Sequence, residues 1–393
     1  MKRITGLVLT VILLLCGCTS NIAPEETNSV KAEFSSGVWF SFSEINAMLN
    51  SEKGFKEEFS AALDNCVNLG IDEVYIHVRA YCDSLYPSDY FPLLEEAKRY
   101  DYDVFDYAVS TCHNRGIKVH AWVNPYRVLT SSEDISALDT SSPAYRWLND
   151  DTADNDKNVC FSNGIYLNPA EYEVRELVIN GLREIAVKYD VDGIHFDDYF
   201  YPTSESNFDS ASYEKYKETC DNPLSLEDWR RANVNALISG CYTAIKFIDK
   251  NIIFSVSPMA SIQKNYNELY ADVSAWVKNG CLDRIIPQLY FGFNYPDKAF
   301  GFDNLLKEWK ELVKSNDEVE LMIGLATYKI GTDSQNDSAE WGTDDDIIAR
   351  QAEICKSDGR ISGFVCFSYT SLFSGDELNT RQRDNLIKII KET

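Results

Sequence analysis

The feature that most constrains this chain is the alternation of short apolar, β-rich runs with amphipathic stretches along nearly its whole length. The runs span residues 37–42, 73–80, 117–123, 193–197, 252–256, 284–289, 321–326 and 363–367. Between them apolar residues recur at helical spacing: Val174, Leu177, Val178, Leu182 and Ile185 share one helix face, as do Phe55, Phe59, Leu63 and Cys66. Gly70, Gly116 and Gly193 punctuate the passage from helix to strand. Eight strand–helix units in one domain predict an α/β fold, a (β/α)8 TIM barrel with a parallel ring of strands. An open doubly wound sheet is the architectural alternative, but Phe40-Ser41-Phe42-Ser43 offers no phosphate-binding glycine turn after strand one. Two connections are long, 125–168 after strand three and 199–225 after strand four. Both rise from the C-terminal face, where long loops carry function.

The amino terminus sets the expected compartment. Lys2 and Arg3 precede an apolar run over 7–15, too short to span a bilayer permanently, and Leu15-Cys16-Gly17-Cys18 closes it. This ending looks like a bacterial lipoprotein cleavage site. Residues 1–18 are therefore expected to be a signal peptide ending at the lipidated Cys18, 19–36 a polar tether, and 37–393 a single barrel domain. The domain would lie outside the cytoplasm, held to a bacterial membrane by its lipid. A net charge of −25 argues against nucleic acid or another polyanion as partner. Nine cysteines follow Cys18, an odd number set in apolar patterns, which reads as buried thiols and not as a disulfide framework. No CxxC pair, HExxH, Walker loop or glycine-rich dinucleotide turn occurs, so no cofactor and no bound metal is expected. A monomer is expected.

The chemistry gathers at the strand ends. "VDGIHFDDYFYP" (191–202) sets Asp197 and Asp198 behind an apolar strand, where an unpaired charge is expensive to bury. Strand alternation puts His195, Asp197 and Tyr199 on the mouth side and turns Asp198 outward or into a cap. Asp197 is thus the leading catalytic candidate. Strand two leads to Arg79 and Tyr81, and strand three to Trp122, Asn124 and Tyr126. Strand six leads to Gln288 and Tyr290, and strand eight to Tyr369. Aromatic faces suit the C–H faces of sugar rings, and amides orient hydroxyls. Glycoside cleavage commonly needs a second carboxyl. Asp272 is placed ahead of Asp198 and Asp83 for that role, although Asp272 could equally open the helix at 273–278.

GVWF at Gly37, VRAYCDSLYPS at Val78, HAWVNPYR at His120, GIHFDDYFYP at Gly193, YAD at Tyr270 and PQLYF at Pro287 run in order along the chain. Together they resemble the serial motifs of the glycosyl hydrolase-like family 10 proteins. The resemblance implies a TIM barrel, a secreted or lipoprotein enzyme and cleavage of glycosidic bonds in a polysaccharide, with bacterial cell-wall glycan as a substrate. It places Arg79, Asn124, Asp197, Asp272 and Gln288 on motif positions, and the strand-end reading adds Tyr81, Trp122, Tyr126, His195, Tyr199 and Tyr290 as expected substrate-binding residues. In the strand-four pattern of family 18 chitinases, Tyr199 falls where their acid stands and His195 replaces an aspartate. Their substrate-assisted mechanism therefore does not transfer on sequence.

Two other readings stay open. His77, His120 and His195 on strands two to four, with Asp197, could form the zinc set of a deacetylase or amidase. A barrel without activity could instead serve as a surface-anchored glycan-binding lipoprotein.

Overall fold

A computed structural model describes residues 34–152, 154–332 and 337–391; the signal segment, Cys18 and residues 19–33 of the expected tether lie outside them. All eight expected strands form. They are β1 Ser35–Phe40, β2 Glu73–Arg79, β3 Lys118–Val123, β4 Gly193–Phe196, β5 Ile253–Val256, β6 Arg284–Ile285, β7 Glu320–Leu325 and β8 Ile361–Cys366. The strands pair in parallel and close into one ring, neighbour to neighbour in chain order, with β8 returning to β1. The fold is a (β/α)8 barrel, its strands wrapped by helices such as Phe55–Leu69, Tyr172–Lys188 and Phe302–Val313.

Departures from the expected boundaries have local causes. β1 begins at Ser35, so Ser35 and Ser36 belong to the barrel and not to the tether. They are buried because Ser35 Oγ donates to Asp72 (2.6 Å) and Glu73 (2.8 Å), while Ser36 Oγ donates to the Gly70 carbonyl (2.8 Å). β6 is reduced to two residues, since Pro287 has no N–H to give a ladder; pairing resumes as single bridges at Gln288. The connection 125–168 holds a three-stranded antiparallel sheet of Arg127–Thr130, Gly164–Leu167 and Val159–Phe161. The connection after β4 holds the helix Ser210–Thr219. Asp209, just before it, is buried against Arg230, whose Nη2 donates to Asp209 Oδ1 at 2.5 Å. The nine cysteines from Cys66 to Cys366 are free thiols, seven of them buried.

The barrel interior is layered. Trp39, Tyr75, Trp122, Ile286, Met322 and Val365 make its apolar filling. Below them lies a polar floor, where Arg284 Nη1 donates to Glu73 Oε2 (2.6 Å) and to the Tyr75 hydroxyl (3.0 Å). Arg284 Nε donates to Glu320 Oε2 (2.7 Å), and His120 Nε2 lies 3.3 Å from Glu73 Oε2. His120 fits only because residue 193 is glycine: a Cβ there would fall 2.0 Å from His120 Nδ1. Burial alone would raise the Glu73 carboxyl, but Arg284 and then His120 overcome it and hold Glu73 well below the carboxylate range.

Removing one member of such a pair strands the other charge in a dry interior. Glu73→Gln is therefore expected to cost roughly 3–5 kcal/mol at pH 7 in denaturant titration. A depressed carboxyl stabilises above its unfolded value and loses that contribution as pH falls through its folded one. Acid sensitivity of unfolding should accordingly weaken in the variant. Unchanged stability and an unchanged acid limb would show that the floor contributes nothing.

Candidate active site

A cavity of about 490 Å³ opens at the C-terminal mouth of the barrel, within the range of small-ligand sites. Its carboxyls are Asp197 and Asp198. Asp197 is 3% exposed, and N–H groups meet both of its oxygens. Trp122 Nε1 donates to Oδ2 (2.9 Å), while Asn124 Nδ2 (3.0 Å) and the Tyr199 N–H (3.3 Å) donate to Oδ1. Asn124 is oriented in turn, because its own Oδ1 accepts from the N–H groups of Tyr126 (3.2 Å) and Arg127 (2.9 Å).

Asp198 does not turn outward as strand alternation predicts. β4 ends at Phe196, so alternation no longer governs residue 198, and its carboxyl lines the same cavity. Gln288 Nε2 donates to Asp198 Oδ1 (2.9 Å) and to the Ser257 carbonyl (3.0 Å). Burial, and then the neighbouring Asp198 charge, push the Asp197 carboxyl up to about 6; Arg127, Trp122 and Asn124 oppose them. Burial raises Asp198 as well, with Gln288 working against it.

The other sequence candidates divide. Tyr81, Trp122, His195, Tyr199, Gln288 and Tyr290 all line the cavity, and Asn124 braces Asp197 from behind. Arg79 does not reach the mouth. A bulge between His77 and Arg79 breaks the parity of β2 and sends the guanidinium outward, over the Phe91 ring (4.2 Å) and against Gly181 of the helix Tyr172–Lys188. Tyr126 is buried in the core outside the ring. Asp272 caps the helix Val273–Lys278, its Oδ1 accepting from the Ala275 N–H (3.0 Å), and does not line the mouth. Trp39, Arg127, Ser257, Tyr328 and Phe367, none of them among the site candidates from sequence, also stand on the cavity wall. Arg127 takes the place assigned to Arg79, with its guanidinium 3.3 Å over the Tyr199 ring. It stands in the same HAWVNPYR run, one turn residue beyond Tyr126, where strand parity had ceased to guide.

The three barrel histidines do not form a zinc set. His195 Nε2 accepts from Trp39 Nε1 (3.2 Å), so its proton sits on Nδ1, facing the Ser255 hydroxyl (2.8 Å). No lone pair is left for a metal. Burial, then His120 and His77, hold this imidazole well below its usual range and therefore neutral. His120 belongs to the floor, and His77 lies flat on Trp122 at 3.7 Å. Among the described residues, no three His, Cys, Asp or Glu side chains are grouped to hold a metal ion.

The glycosyl hydrolase-like 10 family model matches residues 35–343. The chain belongs to this family. Glycosyl hydrolase YngK from Bacillus subtilis (strain 168) is 30% identical over 400 residues, covering 93% of this chain and 74% of YngK. Glycosyl hydrolase DigH from Escherichia coli (strain K12) is 28% identical over 445 residues, covering 99% of this chain and 96% of DigH. Among solved structures, the PgaB (BpsB) glycoside hydrolase domain from Bordetella bronchiseptica superposes with a TM-score of 0.59 at 12% identity, covering 90% of this chain and 98% of that one. Alpha-L-fucosidase isoenzyme 2 from Paenibacillus thiaminolyticus superposes with 0.56 at 13% identity, covering 90% of this chain and 49% of its own. At such identities the structures speak for the barrel fold alone. Family membership supports a glycosidase-type function.

The coupling of the two carboxyls can be read directly. Asp198→Asn removes the neighbouring charge, so the Asp197 midpoint should fall below about 6 in a carboxyl ¹³C NMR titration. A midpoint that stays put would mean that the two groups do not face each other.

Proposed function

We propose that this chain is a glycoside hydrolase that cleaves O-glycosidic bonds of a polysaccharide at the barrel mouth. The observation that supports this reading most is the Asp197–Asp198 pair, two carboxyls raised by burial within an aromatic wall. Trp122, Phe367 and Tyr290 form part of that wall, Phe367 lying 5.9 Å from Tyr290 and 6.4 Å from Trp122. A carboxyl that keeps its proton to about 6 can give it to a leaving oxygen near neutral pH. In this reading Asp197 is the general acid, its orientation fixed by Trp122 and Asn124. Asp198 is the base or nucleophile on the anomeric carbon, oriented by Gln288. The C–O bond breaks and the departing oxygen takes the Asp197 proton; water then gives its hydroxyl to the anomeric carbon and its remaining proton to the carboxylate acting as base. Neutral His195 buttresses Trp39 beneath the sugar.

We take bacterial cell-wall glycan, meaning the saccharide strands of peptidoglycan, as the substrate of this reading. The expected export of the chain and the family resemblance support it. We further propose that Cys18 carries a lipid and holds the domain outside the cytoplasm. The relatives named glycosyl hydrolase are consistent with the activity.

Mass spectrometry of a glycan panel that includes peptide-stripped peptidoglycan tests the activity. Asp197→Asn should lower fragment release by roughly 10²–10⁴-fold while the melting temperature moves by only a few degrees. Full activity in that variant would remove Asp197 from the reaction. Glycan retained on a column of the wild-type protein without new reducing ends would make the protein a binder. For the anchor, Cys18→Ala should move the protein from the membrane to the soluble fraction; persistent membrane association would refute it.

A further inference from the structure

We propose that the mouth is the centre of a longer cleft holding polysaccharide on both sides of the Asp197–Asp198 pair, so that cleavage falls at internal bonds. The inference rests on the glycosidase reading and adds where along the polymer the enzyme cuts.

Two further hollows adjoin the central cavity, and each shares wall residues with it. One, of about 430 Å³, lies between the loops that follow β2 and β3 and meets the mouth at Tyr81. Tyr81 stands as a partition, edge-on to Phe42 at 5.3 Å, its hydroxyl 3.4 Å from Thr130 Oγ1. The other, of about 620 Å³, lies among the loops after β1, β7 and β8 and meets the mouth at Ser41, Ser43 and Tyr328. A site that trims chain ends needs a wall beyond the cleaved sugar. Here a hollow borders the mouth at Tyr81 and another at Ser41, Ser43 and Tyr328, so side chains and not backbone walls stand between them.

Each flank also holds a buried polar group without a full set of partners, a costly state unless something binds there. In the first hollow Ser142 is 3% exposed, and its hydroxyl makes no hydrogen bond beyond its approach to the Cys82 thiol. Asp83 lies on the same wall, its carboxyl pushed up to about 6 by burial. In the second hollow Asn379 is 5% exposed, and its Oδ1 accepts nothing while Nδ2 donates to the Ser371 carbonyl (2.5 Å). These groups suit sugar hydroxyls. The cation on these walls, Lys98, is paired with Glu95 (2.7 Å) and Asp139 (3.5 Å).

The test uses the full protein with peptide-stripped glycan strands of defined length, labelled at the reducing end. Early products should spread over internal lengths, and the rate should rise with chain length. Ala137→Trp and Ser374→Trp each fill one flanking hollow. Each should raise KM about tenfold on long strands with kcat and the shortest cleaved oligomer little affected, the signature of lost uniform binding. Release of only terminal mono- or disaccharides, or long-strand KM values unchanged in both variants, would overturn the proposal. Calorimetry with Asp197→Asn gives a second readout: affinity should grow with strand length, and both tryptophan variants should cancel the gain. If wild-type protein cuts no glycan, the glycosidase reading fails, and this binding series still decides the cleft.

Discussion

Asp197 is held out of water with an N–H group on each oxygen, and its own neighbour in the chain carries a second carboxyl into the same cavity. That arrangement is the constraint around which the mouth is organised. Trp122 and Asn124 come from the end of β3 and Gln288 from just beyond β6, so three separate strand ends must be in register for the pair to be presented. A closed ring of strands fixes such registers well, because each strand has a partner on both sides. The sequence spends an indole and two amides on two acids because bare carboxyls at this depth would be too costly.

The same arrangement sets stability against function. Moving a carboxyl from an ordinary value near 4 to about 6 corresponds to about 3 kcal/mol of opposition to its charged form. Because the folded value lies above the unfolded one, the cost builds as pH rises from about 4 to about 6 and stands in full above that. The Glu73–Arg284 floor has the opposite sign, since Arg284 holds Glu73 charged. One end of the barrel interior is thus locked by a satisfied ion pair, while the other keeps two carboxyls of like charge side by side. Frustration at the open end, where a ligand can relieve it, is what a working site requires.

Most of the barrel was legible in the sequence because buried parallel strands leave near-continuous apolar runs, and all eight were found. Within the site, Asp197, Trp122, Asn124, Gln288 and Tyr290 were also legible, since each stands at a strand end that alternation or motif position marks. What failed did so where alternation stops applying. A bulge in β2 turned Arg79 to the helices, and the early end of β4 freed Asp198 to face inward. Asp272 shows a different limit: a carboxylate before a helix reads alike as cap or catalyst, and only its hydrogen bond to Ala275 separates the two. The flanking hollows left no sequence signal, because they arise between segments distant in the chain, 81–98 against 128–142 and 41–47 against 327–330 and 368–379.

The measurement that bears most directly on this account is the pH dependence of kcat/KM on a cleaved glycan, which reports the essential acid of the free enzyme. With Asp197 as a proton donor displaced to about 6, the profile should fall as pH rises through that value. A profile that is flat from about pH 5 to 8, or that rises through the same interval, would contradict the role given to the buried pair.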